Sequence, residues 1–171
     1  NKFHPRHLGL HFCEVYEGIY DERKKYPKGS SENDGLKLSL NGAYGKSNSE
    51  YSFLYDPKFT MQITFNGQLL LAMLCEKITT TGAGRIIMAN TDGIEAEIYD
   101  QVKYKEITDW WQKLTQLELE FAKYKVIAIR DVNNYIAMKH DGKTKEKGAY
   151  EVDKEIHKDA SMRIVPYAVR E

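Results

Sequence analysis

Residues 37 to 45 read Lys37-Leu38-Ser39-Leu40-Asn41-Gly42-Ala43-Tyr44-Gly45. In a helix turning about 100° per residue, Lys37, Asn41 and Tyr44 fall within about 60° of one another. An ammonium, an amide and a phenol then share one stripe, flanked by Leu36, Leu38, Leu40 and Ala43. Such a stripe can hold an anion and shape a polar ligand. Gly42 costs a helix interior roughly 1 kcal/mol relative to Ala, a cost kept where a backbone or ligand must come close. An amphipathic helix ending at a glycine cap accounts for the same residues. The second chemical feature is Asp92 in Asn90-Thr91-Asp92-Gly93, between two strand-like runs. A carboxylate on a tight turn is rigidly held and exposed, which suits a hard cation such as Mg²⁺. Asp in a turn is also explained by Asx bonding to the backbone and by the Asp-Gly hairpin preference.

The elements that must carry these groups follow from periodicity. Residues 1–20 are mixed, and Asp21 to Asp34 reads as a basic helix end followed by a loop. Leu36 to Gly45 is helical, and a second helix over Ile63 to Ile78, apolar on most faces, is expected to lie inside. Arg85 to Ala89 and Ile94 to Ile98 predict a hairpin with Asp92 at its tip. Lys105 to Ala122 carries a helical apolar stripe, with Thr108 or Asp109 as its cap. Tyr124 to Ile129, Asn134 to His140 and Lys147 to Val152 then predict three strands in meander spacing.

Composition limits the function classes. The 171 residues are 42% hydrophobic and 29% charged, the balance of a globular domain rather than a disordered chain. Twenty-five Lys plus Arg balance 25 Asp plus Glu, so any attraction to nucleic acid must be local. The longest apolar run, Leu69 to Cys75, is far short of the roughly 20 residues of a membrane helix. Cys13 and Cys75 form no disulfide framework, which points to a reducing compartment. His4, His7, His11 and Cys13 have zinc-ligand types at a spacing that matches no common zinc site. Trp110 and Trp111 read as the flank and core of a helix, and Cys75 as a buried small hydrophobe.

Taken together, Lys37-x-x-x-Asn41-Gly42-x-Tyr44-Gly45 and Asn90-Thr91-Asp92-Gly93 resemble motifs B (KxxxNSxYG) and C (DTD) of family B DNA polymerases, with a phage-like flavour. Ile63-Thr64-Phe65-Asn66-Gly67-Gln68 is similar to the family's ITxxGR segment. Asn133-Asn134-Tyr135 falls where the family has KxY, and Lys147-Gly148 resembles the strand that follows. The match runs in order from Leu36 to Glu151. Among the positions that depart from it are Asn90 for the first Asp of DTD, Gly42 for the motif B Ser, and Asn133 for the Lys of KxY. No DxxSLYP motif A precedes Leu36, and the family's exonuclease motifs are missing.

The resemblance implies an α+β fold: an antiparallel palm-type sheet with a metal-site hairpin, packed by helices, plus a short helical fingers segment. It divides the chain into fingers helices and flanking segment (1–49), palm (50–155) and the start of a thumb (156–171). It implies two-metal phosphoryl transfer with Mg²⁺, Asp92 being the metal ligand and catalytic carboxylate. Lys37, catalytic by the same analogy, would contact the nucleotide phosphates, with Arg23 and Lys28 assisting. Asn41 and Tyr44 would shape the nucleotide pocket. Gly45 and Lys46 would lie near the template, and Asn133, Tyr135 and Lys147 near the primer. The implied partners are primer-template DNA, deoxynucleoside triphosphates and the rest of a polymerase chain, with no membrane, in a bacterial or phage-infected cytoplasm. With motif A missing, the isolated chain is expected to be inactive. The rival reading is a non-catalytic nucleic-acid-binding α+β domain derived from a polymerase palm. An unrelated small-molecule enzyme would need a complete site, and the sequence offers none.

Overall fold

The structure, a computed structural model, describes residues 3–151. The elements in order are α1 (His11–Lys24), α2 (Ser31–Lys46), α3 (Pro57–Thr80), β1 (Gly84–Asn90), β2 (Gly93–Ile98), α4 (Gln101–Thr115), β3 (Tyr124–Asp131), β4 (Asn134–Lys139), β5 (Thr144–Lys147) and a 3-10 turn (Gly148–Tyr150). The class is α+β: β1 and β2 form one antiparallel sheet, and β3-β4-β5 form another. The expected thumb segment, 156–171, lies outside the described residues. The chain divides into two compact units, residues 1–70 and 71–171, with the boundary inside α3.

In the first unit α1 packs on α2. Phe12 meets Tyr16 and Phe59 with ring centroids 5.8 Å apart in both pairs. Leu40 and Phe59 are the buried apolar side chains here, together with Pro5. α1 buries no residue although Phe12, Val15, Tyr16, Ile19 and Tyr20 follow helical spacing; Val15, Tyr16 and Tyr20 stay exposed. The helix expected from Leu36 begins five residues earlier. Ser30, in extended backbone, accepts the Asn33 N–H at 3.2 Å and so starts α2 at Ser31.

α3 also begins earlier than expected, and its start is fixed by charge. The buried carboxylate of Asp56 accepts the backbone N–H groups of Lys58 (3.1 Å) and Phe59 (3.4 Å), with Pro57 in the first helical position. Arg6 adds its backbone N–H at 2.9 Å, its Nε at 3.0 Å and its Nη2 at 3.3 Å. The Arg6 side chain, then its backbone N–H, hold the Asp56 carboxyl far below the usual carboxylate range. The expectation that this helix lies wholly inside fails over its first half, where Met61, Phe65 and Leu69 form an exposed stripe at i, i+4, i+8 spacing. Cys75 is half-buried rather than buried.

The second unit is built on Leu74, Ile78, Ala83, Ile107, Trp111, Tyr135 and Ala137, all buried. α4 starts at Gln101, not Lys105, and its cap is Asp100, which accepts the N–H groups of Val102 and Lys103, both at 3.0 Å. Thr108, one of the expected caps, sits mid-helix, where its hydroxyl donates to the Lys105 carbonyl at 3.0 Å. The helix ends at Thr115 because Gln116 turns left-handed at φ 58°. Trp111 is buried and Trp110 stands at the flank with the Lys77 ammonium 5.3 Å from its ring centre. The last strand covers Thr144–Lys147 rather than 147–152, since Gly148 at φ 70° turns the chain.

Asp56→Ala removes both a helix cap and a partner of Arg6, and is expected to lower stability by about 1–3 kcal/mol at neutral pH. The Asp56 pKa is lower folded than unfolded. Its stabilisation is therefore complete above the ordinary carboxylate pKa of about 4 and fades as pH falls through the folded value. Urea unfolding at pH 7 and at pH 2–3 checks this: the gap between wild type and variant should shrink in acid.

Candidate functional site

The first group of expected site residues lies on α2. Its inner side carries Asn33 and Leu40, with Ser47 just past the end, all buried. Asn33 anchors the helix: its Nδ2 donates to the carbonyls of Arg23 (3.1 Å) and Tyr26 (3.0 Å), and its Oδ1 accepts from Arg23 Nε at 3.3 Å. Arg23 thus has a structural duty at the α1–α2 turn, where Lys28 is exposed. On the outer side Lys37, Asn41, Tyr44, Gly45 and Lys46 are all exposed, so the stripe read from the sequence faces solvent. The Tyr44 hydroxyl is 2.9 Å from Thr64 Oγ1, which ties the stripe to α3. No described protein atom lies within 4 Å of where a Cβ on Gly42 would stand, so the space above the helix there is open.

The second group is in the other unit, around the β1–β2 turn. The ladder pairs Asn90 with Gly93, leaving Thr91 and Asp92 to reverse the chain. Asn90 supplies the turn's local bonding: its Oδ1 accepts the Thr91 N–H at 2.8 Å and the Thr91 hydroxyl at 3.0 Å. Asp92 is exposed, has no positive φ, and makes no hydrogen bond or ion pair among the described residues. The two usual structural reasons for Asp in a turn are therefore not what Asp92 does.

Beside this tip lies the β3–β4 turn. Asn90 Nδ2 donates to Asn133 Oδ1 at 3.3 Å, joining residues 43 apart in sequence. Asp131 accepts the Asn133 N–H at 3.1 Å and Asn134 Nδ2 at 2.6 Å, and Arg130 Nε is 3.5 Å away. Asn134 first, then the Asn133 N–H, lowers the Asp131 pKa. Asn134 Oδ1 accepts the Ala149 N–H at 2.6 Å. Tyr135, only 4% exposed, lies under two lysines, with Lys145 5.8 Å and Lys147 5.9 Å from its ring centre. Lys145 also donates to the Tyr124 hydroxyl at 3.3 Å. Glu95 on β2 is half-buried; burial raises its pKa, and nearby Lys145 pulls it back.

Among the described residues around the two turns, one unengaged carboxylate, Asp92, is present, fewer than two magnesium ions need. Asp92 is a single carboxylate next to a neutral Asn90, Asp131 is engaged by its own turn, and Glu95 faces Lys145. Among the described residues no three His, Cys, Asp or Glu side chains form a metal-binding group. His4, His7 and His11 point to separate partners: the carbonyls of Pro5 and Phe53 and the carboxylate of Glu14. Among the described residues no helix is long and apolar enough to cross a membrane.

No protein-family model matches this chain, and no curated protein matches it either. Its fold is similar to that of a solved family B DNA polymerase from the hyperthermophilic archaeon Pyrobaculum calidifontis. The TM-score is 0.56 at 20% sequence identity, over 94% of this chain. The chain spans about a quarter, 24%, of that polymerase's length.

What sequence reasoning missed is the Asn90–Asn133 contact and the glycine that shapes its surroundings. Gly148 is at φ 70°, and a Cβ there would run into the Asn133 carbonyl and the Asn134 side chain. Gly148→Ala is expected to cost about 1–3 kcal/mol and to disturb the 131–134 turn. Thermal melts together with amide NMR shifts of Asn133 and Asn134 check it; unchanged stability and shifts would contradict the packing described.

Proposed function

We propose that this chain is the fingers and palm portion of a template-directed DNA polymerase. In that reaction a primer 3′-oxygen bonds to the α-phosphorus of a deoxynucleoside triphosphate and pyrophosphate leaves. The observation that carries the reading is the lone, unengaged carboxylate of Asp92 at a hairpin tip, in a fold similar to a family B polymerase over nearly the whole chain.

In this reading Lys37 sits on the triphosphate, where a point charge stabilises negative charge developing on the leaving group. Arg23 and Lys28, at the turn preceding α2, are the further phosphate contacts. Asn41 and Tyr44 border the nucleotide over the open surface at Gly42, with Gly45 and Lys46 toward the template. Asn133, Tyr135 and Lys147 border the primer, Tyr135 acting from beneath Lys145 and Lys147. Two magnesium ions would supply charge neutralisation during phosphoryl transfer. Asp92 is the ligand this chain offers them, and further carboxylates must come from a longer polypeptide. The 171 residues alone are then inactive. The exposed stripe of Met61, Phe65 and Leu69 fits a piece that packs against more protein. The alternative, a nucleic-acid-binding domain without catalysis, is favoured by the single carboxylate and neutral Asn90.

Two tests use a longer polypeptide containing this chain. Lys37→Ala is expected to reduce nucleotide use about 10- to 100-fold, the range of a lost charge-assisted hydrogen bond. Asp92→Asn should reduce turnover by more than about a thousandfold. Steady-state primer extension separates them, and near-normal turnover in Asp92→Asn would overturn the assignment. For primer contact, the salt dependence of duplex binding should flatten by about 0.9 in log-log slope for each of Lys139, Lys143 and Lys147 replaced by Ala. Slopes equal to wild type would assign those lysines to solubility.

A further inference from the structure

The β1–β2 hairpin and the β3-β4-β5 sheet share no backbone ladder. The place of the Asp92 turn on the larger sheet therefore depends on side chains. At the tip, the orientation of the Asn90 amide is forced. The Thr91 N–H can only donate, so Oδ1 must face it, and this turns Nδ2 toward Asn133. The backbone at Asn133 is fixed as well: its N–H is held by Asp131, its neighbour Asn134 is held by Asp131 and Ala149, and Gly148 packs against its carbonyl. Farther down, Glu95 faces Lys145, which is held between the Tyr124 and Tyr135 rings.

Asn90 and Asn133 are also two of the positions where the chain departs from the polymerase resemblance, one replacing an acid and the other a base. We propose that Asn90 and Asn133 are a matched positioning pair, a neutral donor–acceptor tie that sets where the Asp92 carboxylate stands. The match follows from charge and hydrogen-bond polarity. Asp at 90 would remove the donor that Asn133 Oδ1 now accepts from and add negative charge beside Asp92 and Asp131. Lys at 133 would set an ammonium against the Asn90 donor. Made together, the two changes restore attraction. The two departures are then one change shared by two contacting residues rather than two independent losses. That the positioned carboxylate serves nucleotidyl transfer rests on the function proposed above; the pairing does not.

The test uses the 171-residue chain as wild type, Asn90→Asp, Asn133→Lys and the double variant, in denaturant unfolding at low salt. Each single change should destabilise, and the unfolding constant of the double variant should fall below the product of the single effects by at least about threefold. A second readout is water exchange of the Thr91 amide by NMR. Asn133→Ala should speed it several-fold although residue 133 is on another hairpin, and Asn133→Asp, which keeps the accepting oxygen, should restore it. Additive single effects together with Thr91 exchange unchanged in Asn133→Ala would overturn the pairing. Neither measurement needs DNA or nucleotide, so failure here leaves the polymerase reading intact, and an inactive polymerase leaves the pairing intact.

Discussion

The pairing register of β1 with β2 is the constraint on which the candidate site depends. With Gly84 opposite Ile98 at one end and Asn90 opposite Gly93 at the other, Thr91 and Asp92 are left at the tip. A slip of one residue would turn every side chain of the strand to the other face. The base of the hairpin is locked from outside the ladder. The carbonyl of the fully buried Ala83 accepts the N–H groups of Tyr99 (2.9 Å) and Asp100 (3.1 Å), and the Ala83 N–H bonds back to Ile78 at 3.1 Å. Gly84 permits the close approach, because a Cβ there would strike the Glu97 carbonyl. Asp100 then caps α4, so the end of α3, both strands and the start of α4 are registered by a few neighbouring backbone groups.

The hairpin was legible because its signal is local: an Ile-rich run at 85–89, a four-residue turn, and alternating apolar and acidic residues at 94–98. The α2 stripe was legible for the same reason, since three polar side chains one turn apart need no knowledge of the rest of the fold. Other features depended on information the periodic pattern lacks. α1 carries Phe12, Val15, Tyr16, Ile19 and Tyr20 at i, i+3, i+4, i+7 and i+8, yet buries none of them fully. The apolar residues after Thr115 continue a helical spacing, but Gln116 turns left-handed and ends α4. The start of α3 was readable from Asp56 followed by Pro57, a cap and a first-turn proline, yet the apolar run drew attention to residues farther on. The Asn90–Asn133 contact could not be read at all, because its partners lie 43 residues apart on turns that no local pattern connects.

Electrostatics around the site is local, as a chain with balanced charge requires. The lysines of the last hairpin are not equivalent. Lys145 is tied to Tyr124 and faces Glu95, and Lys147 lies over Tyr135, so both support the sheet as well as any ligand. Asp92 is the contrasting case, a carboxylate held in place by its neighbours and engaged by none of the described residues.

The most direct measurement is a structure of a longer polypeptide containing this chain, bound to primer-template, a non-reacting deoxynucleoside triphosphate and Ca²⁺. The account predicts an Asp92 oxygen about 2.3–2.6 Å from a calcium ion that also binds the triphosphate. A nucleotide bound with its cations held elsewhere, and Asp92 facing solvent, would contradict it.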